Sequence, residues 1–255
     1  MPERIDATIQ ARMGSSRLPG KVLLPVAGQP LLARIVERIR RSRLIDRVII
    51  ATSSSGQDDP VAELAERLGC LCFRGSEDDV LGRVTGTLKA FDVDIHVEFQ
   101  GDNALPDPLL IDAVVGYYLK FRDEYDYVTT ALRTTYPPGS EVTVYAASTL
   151  IRAEAEWEPG RPREHVGPHI YQRPERFRCC NLEAPPAYHY PDIHLEVDTI
   201  EDYQVVCRLY EHFLPGKPDF TLAEAIDYAS QSGIWRNNAD VPRRWRSYRS
   251  DGGAE

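Results

Sequence analysis

Residues 10–23 read QARMGSSRLPGKVL. Arg12, Arg17 and Lys21 put three cations on a loop that also holds Gly14, Ser15 and Ser16. Small residues let backbone N–H groups approach an oxyanion closely, and Pro19 stiffens the loop so that a ligand costs less entropy to order. The chemistry this composition suits is phosphate binding. Two familiar phosphate loops fail on spacing. Against the Walker pattern G-x-x-x-x-G-K-[ST], counting from Gly14 puts Pro19 where the second glycine belongs, and counting from Lys21 puts Val22 where the hydroxyl residue belongs. The dinucleotide pattern G-x-G-x-x-G fails because Gly14 and Gly20 are six apart. By composition alone, a solvated basic turn has the same character.

Two distant acids suit the same chemistry. Asp102 lies in QGDN and Asp198 in EVDT, each after a strand-like run. Ligands of open α/β sheets collect at such strand ends. Two carboxylates with phosphate oxygens are a sufficient ligand set for a hard cation such as magnesium, which keeps several waters. Each acid also has a plainer role. Gly-Asp-Asn forms a turn unaided, and Asp198 precedes a helix start whose dipole favours an acid.

The elements that would position these residues alternate. Residues 5–11 read as a strand and 31–41 as a helix with Leu32, Ile35, Val36 and Ile39 on one face. The near-continuous apolar run 47–53 is expected of a buried parallel strand. A helix over 60–68, a strand over 70–75, a helix over 79–91, a strand within 94–102, a helix over 108–121 and a strand over 125–131 follow. This order predicts an α/β fold with a mostly parallel central sheet flanked by helices. The second half is less regular. Residues 140–148, 177–184 and 193–199 read as strands, and 157–177 as a loop with short helical pieces. Thr199 with Asp202, and Thr221 with Glu224, predict capped helices, the first running through Phe213. The expected organisation is one domain over 1–235 with a β-rich part within 139–198, and a loosely ordered polar tail over 236–255.

Composition narrows the class. The 255 residues are 42% hydrophobic and 27% charged, enough to bury a core. A net charge of −9 argues against a nucleic-acid partner. No run approaches the roughly 18 apolar residues of a membrane span, and the acidic N-terminus does not resemble a signal peptide. The five cysteines have no CxxC spacing, which predicts reduced thiols in the cytoplasm. Cys70 and Cys72 should share one strand face as core packing. His165 and His169 are four apart, but Pro168 breaks a helix that would align them on zinc.

The opening loop, Ala11 to Lys21, resembles the A-R-x-x-S-x-R-L-P-x-K loop of the sugar-activating cytidylyltransferases, with most likeness to the spore coat polysaccharide biosynthesis protein F branch. VIIATSSSGQDDPVAELAERLG, FRGSEDDVLGR, QGDNALPDP, YPPGSEVTVY, REHVGPHIY and LEVDTIEDY are similar to later segments of that family in the same order, over about residues 4–230. The resemblance implies CTP as donor, a small acidic acceptor such as a nonulosonic or 2-keto sugar acid, Mg2+ as cofactor and a homodimer built through the second-half strands. It implies that Arg12, Ser15, Arg17 and Lys21 hold the triphosphate, with Ala11 and Gly14 in the nucleotide loop. Asp102 and Asp198 would hold the metal. Ala51 and Thr52 would meet the base, with Arg74, Ser76 and Gln100 near it. Glu141, Arg163, Glu164 and His165 would face the acceptor. Arg74 is equally a surface residue at a strand end, and Asp79 and Arg83 have the spacing of a helical ion pair.

The chain departs from the family on the acceptor side. Glu98 stands where Arg is common, Asn103 where Cys or Glu is common, and Thr143 where the second acid of D-V-E-V falls. A phosphonate or phosphate monoester acceptor, or a nucleotide-binding homologue without turnover, is compatible with those changes.

Overall fold

The computed structural model describes residues 3–157 and 162–243. In chain order the elements are β1 (Ile5–Gln10), β2 (Pro25–Val26), β3 (Gln29–Pro30), α1 (Leu31–Ile39), β4 (Arg47–Ser53), α2 (Asp59–Arg67), β5 (Leu71–Gly75), α3 (Val80–Ala90) and β6 (Ile95–Gln100). They continue with α4 (Pro108–Phe121), β7 (Tyr127–Thr129), β8 (Thr143–Ala146), α5 (Ala147–Ala155), α6 (Pro168–Tyr171), β9 (Cys179–Asn181), α7 (Ile200–Phe213) and α8 (Leu222–Ser232). The central sheet has seven strands in the order β5-β4-β1-β6-β8-β7-β9. Only the pairings that β8 makes with β6 and β7 are antiparallel. This is the mostly parallel α/β sheet that the alternation of elements predicts.

Side chains alternate between the two faces of the sheet. Ala7, Ile9, Val97 and Phe99 join the core under α1, α4 and α7, with Leu32, Val36, Val114 and Leu209. Each such buried Val, Leu, Ile or Phe side chain contributes about 1.5–3 kcal/mol. On the other face, Val80 and Val84 of α3, Leu150 of α5 and Ile170 of α6 pack with Tyr127 and Tyr145. The strand residues between carry polar groups on that face: Thr8, Gln10, His96 and Glu98. Among the described residues no helix is long and apolar enough to cross a membrane.

Local chemistry sets the helix limits. Asp107 caps α4 by accepting from Leu109 N and Leu110 N. Capping boxes open α7 at Thr199 and Asp202 and α8 at Thr221 and Glu224. Each satisfies backbone donors that a helix start leaves unpaired.

Several expectations are corrected. The run 140–148 is a strand only over Thr143–Ala146, after which α5 begins. Residues 193–199 form no strand, only one bridge between Asn103 and Glu196. Strand 125–131 shortens to Tyr127–Thr129. Asp79 does not pair with Arg83: it caps Gly82 N and binds Arg163, while Arg83 turns to the carbonyls of Ser76 and Glu77. Of the tail expected over 236–255, Asn238 and Arg243 are buried rather than loose, and residues 244–255 lie outside the described residues.

Candidate active site

β1 lies between β4 and β6, so the loop after it leaves from the middle of the sheet's C-terminal edge. Ala11 N extends the β1–β4 ladder to Ala51 O at 3.2 Å. Met13 N then donates to Asp58 Oδ1 at 2.7 Å, and Ser53 Oγ holds the other oxygen of this buried carboxylate. Met13 O accepts from Ser15 N at 2.8 Å and Gly20 N at 2.9 Å, which closes the loop and turns Lys21 inward. The loop is therefore anchored at both ends before any ligand arrives.

Two glycines bring the acids to it. Gly101 N donates to Gln10 O at 2.8 Å. A Cβ at Gly101 would stand 2.9 Å from Val22 Cγ1 and 3.1 Å from Gln10 O, so only glycine lets the turn after β6 press against the loop. Asp102 is carried to Lys21 by this approach. Val197 N then donates to Asp102 O at 3.0 Å, and the Asn103–Glu196 bridge sets Asp198 alongside. Gly139 has φ +96°, and a Cβ there would fall 2.2 Å from Glu196 N. Its bare backbone lets residues 138–139 lie directly against the stretch that leads to Asp198.

Lys21 Nζ stands 2.9 Å from Asp102 Oδ2 and 2.9 Å from Asp198 Oδ1. Arg17 Nη2 is 2.5 Å from Asp198 Oδ2. Burial works against the charge on Lys21, but Asp102 and Asp198 outweigh it and raise its pKa. Burial likewise opposes the charge on Asp198, and Lys21 and Arg17 overcome it, holding the carboxyl below the usual range. The charges on Lys21 and Asp198 therefore persist through neutral pH. Arg12 reaches across the cleft, 3.8 Å from Glu164 and 3.5 Å from Glu77 O. Gly14 lies beside Glu77, and Ser15 Oγ accepts from Leu18 N at 3.4 Å.

The residues expected near the base spread out from this centre. Ala51 and Thr52 lie near the C-terminal end of β4, before Ser53, and Thr52 Oγ1 is buried without a hydrogen-bond partner. Arg74 turns to Ser53 O, Ser55 O and Asp59, bracing the turn before α2. Ser76 Oγ accepts from Asp79 N at 3.0 Å. Gln100 is exposed, opposite Gln10 in the sheet register.

On the acceptor side, Arg163 is held by Asp79 at 2.7 Å and Glu154 at 2.9 Å, which ties it to α3 and α5. Glu164 is exposed beside Arg12, and Glu141 Oε2 accepts from Gly139 N at 2.6 Å. His165 is half-buried, and burial lowers its pKa. The three departures each have a local partner. Glu98 accepts from Gln10 Nε2 at 2.9 Å and Tyr145 OH at 2.7 Å. Asn103 Oδ1 accepts from Gln100 N at 2.7 Å, and Thr143 pairs with Thr129 at 2.7 Å.

Asp58, which anchors the loop, and Arg243, which lies behind Asp198, are not among the site residues expected from the sequence. For Asp58 the available signal was GQDD ahead of a helix. Arg243 had none, because its carboxylate partners, Glu196 and Asp202, are far along the chain.

The cytidylyltransferase family model matches residues 7–237. The spore coat polysaccharide biosynthesis protein SpsF of Bacillus subtilis is 34% identical over 223 residues, covering 86% of this chain and 90% of that protein. The 3-deoxy-manno-octulosonate cytidylyltransferase of Trichlorobacter lovleyi is 35% identical over 118 residues, 46% of this chain and 45% of its own length. A solved cytidylyltransferase from Leptospira borgpetersenii superposes with a TM-score of 0.87 at 27% identity, covering 94% of this chain and all of the other. A basic loop facing two convergent aspartates, on this sheet and with these matches, leads to one assignment: the chain belongs to the cytidylyltransferase family, in its SpsF branch, and is a CTP-dependent nucleotidyltransferase.

Proposed function

We propose that the protein transfers CMP from CTP to a 2-keto sugar acid, releasing pyrophosphate, with Mg2+ at Asp102 and Asp198. The observation that carries this reading is the convergence of Lys21 and Arg17 on those two carboxylates. An acceptor oxygen attacks the α-phosphorus, and the bond from that phosphorus to the pyrophosphate oxygen breaks. Such transfer needs positioning and charge neutralisation more than covalent help. Lys21, Arg17 and Arg12 supply the cations for the triphosphate and for the charge that grows on the leaving pyrophosphate.

The donor set fits magnesium. Asp102 Oδ2 and Asp198 Oδ1 both lie 2.9 Å from one ammonium, so two hard oxygens aim at a common point. When bound, the ion would neutralise phosphate charge and orient the triphosphate. Asp102 and Asp198 would hold it, while Arg17 and Lys21 turn to the phosphates.

Thr52 Oγ1, buried and unpartnered, supports a base pocket at the end of β4. The relative named for 3-deoxy-manno-octulosonate supports a 2-keto acid acceptor. Glu98, anchored by Gln10 beside the loop, borders the side on which that acceptor would lie. We infer also a homodimer through β9, whose outer edge has no partner strand among the described residues. Gel filtration at the monomer's size would contradict that. Mass spectrometry of the product formed from CTP with 3-deoxy-octulosonate, other 2-keto sugar acids and phosphonates tests the acceptor. A CMP-linked 2-keto acid supports the proposal. A product formed only from a phosphonate overturns the acceptor class.

A further inference from the structure

We propose that residues 238–243 are a positioning element of the catalytic centre, with Arg243 setting the turn that presents Asp198. This rests on the metal reading of Asp198 given above. Asp202, the third residue of α7, is fully buried. One of its oxygens, Oδ2, accepts from Asp198 N at 3.1 Å and Thr199 N at 2.9 Å, fixing the backbone that carries the Asp198 carboxylate. The other, Oδ1, is held by Arg243 Nη1 at 2.9 Å and Asn238 Nδ2 at 2.8 Å.

The Arg243 side chain is 1% exposed and also lies 3.2 Å from Glu196 Oε1. Its Nη2 donates to Asn238 O at 2.7 Å, which folds the segment onto itself. One guanidinium thus grips the residue two before Asp198 and the residue four after it. The same segment reaches the phosphate loop: Pro242 O accepts from Arg17 Nη1 at 3.3 Å, while Nη2 of that arginine binds Asp198. Both partners of the Arg17–Asp198 pair are therefore braced from one stretch of chain, and Arg243 lies beyond the residues matched by the family model.

Without Arg243, the buried Asp202 carboxylate loses its one cation within ion-pair distance among the described residues. A buried carboxylate stripped of its counter-cation is strongly destabilised and turns toward water, which loosens its grip on Asp198 N. Arg243 does not touch the reacting groups, so its effect should fall on metal affinity before it falls on the fold.

The test is Mn2+ binding to the full chain in the presence of CTP, read from the free-Mn2+ paramagnetic resonance signal, alongside a thermal melt. Arg243→Ala should bind Mn2+ about tenfold more weakly or worse while still melting cooperatively, and Arg243→Lys, which keeps the charge, should fall between. Unchanged Mn2+ affinity in a folded Arg243→Ala overturns the inference and leaves the metal reading standing. If Arg243→Ala does not fold, Arg243→Lys decides: weakened binding supports the role, and wild-type binding overturns it. Wild-type protein that binds no Mn2+ with CTP overturns the metal reading and this inference with it.

Discussion

Lys21 Nζ and Asp198 Oδ1 stand 2.9 Å apart although 177 positions separate them in the chain. The contact is made by tertiary structure alone, through the loop after β1 and the turn before α7. Lys21→Met would remove the cation and leave Asp102 and Asp198 facing each other with Arg17 as the remaining counter-charge. Removing one such group from a charge-stabilising site costs about 100- to 1000-fold in turnover. Steady-state kinetics should show a loss of that size, with a melting shift of only a few degrees. Near-normal turnover would take Lys21 out of the chemistry.

Asp102→Asn keeps the shape and removes one charge. Metal-free CTP binding, measured by calorimetry, should be unchanged or tighter, because a negative group beside the triphosphate is gone. The Mg2+ concentration needed for half-maximal turnover should rise at least tenfold, by the loss of a hard oxyanion ligand. An unaltered Mg2+ dependence would contradict the assignment of Asp102.

Gly101→Ala tests the approach of the QGD turn to the phosphate loop. The new methyl would meet Val22 Cγ1 at 2.9 Å and Gln10 O at 3.1 Å, one of them backbone. Overpacking of this kind costs about 1–3 kcal/mol. Urea denaturation should show that loss, and activity should fall further than stability because Asp102 moves with the turn. A neutral result would mean the turn has slack.

His96 predicts acid sensitivity. It is fully buried with Nε2 2.6 Å from Thr8 Oγ1, and burial pushes its pKa down to about 3. The folded ring is neutral, while the unfolded one titrates near 6.5. A depressed folded pKa gives stability that is full above the unfolded value and is lost as pH falls toward about 3. At about 1.4 kcal/mol per pH unit, this group alone should remove about 2 kcal/mol between pH 6.5 and 5. His96→Gln, which does not titrate, should lack that part of the slope. An identical slope would mean the ring is hydrated.

Much of the frame was legible in the sequence because its signals are local. The β4 run is apolar throughout, Asp107 and Pro108 mark the start of α4, and Thr199 with Asp202 mark that of α7. The loop cations and both aspartates were legible as types, and their convergence through Lys21 is what the fold adds. Arg163 was read as an acceptor contact and is found tied to Asp79 and Glu154. The 193–199 run alternates like a strand, yet its pairing is with the turn at Asn103, which no local pattern shows. Arg243 belongs to a stretch whose polar composition reads as tail. The buried carboxylates of Glu196 and Asp202 give it its place.

Pyrophosphate release from CTP and Mg2+ with a panel of 2-keto sugar acids, run with wild-type protein and Asp198→Asn side by side, separates CMP transfer at this site from nucleotide binding alone. Release is expected with at least one acceptor, dependent on that acceptor and on Mg2+, and reduced at least ~100-fold in the variant. No release with any acceptor, together with no CTP binding by calorimetry, would contradict CMP transfer.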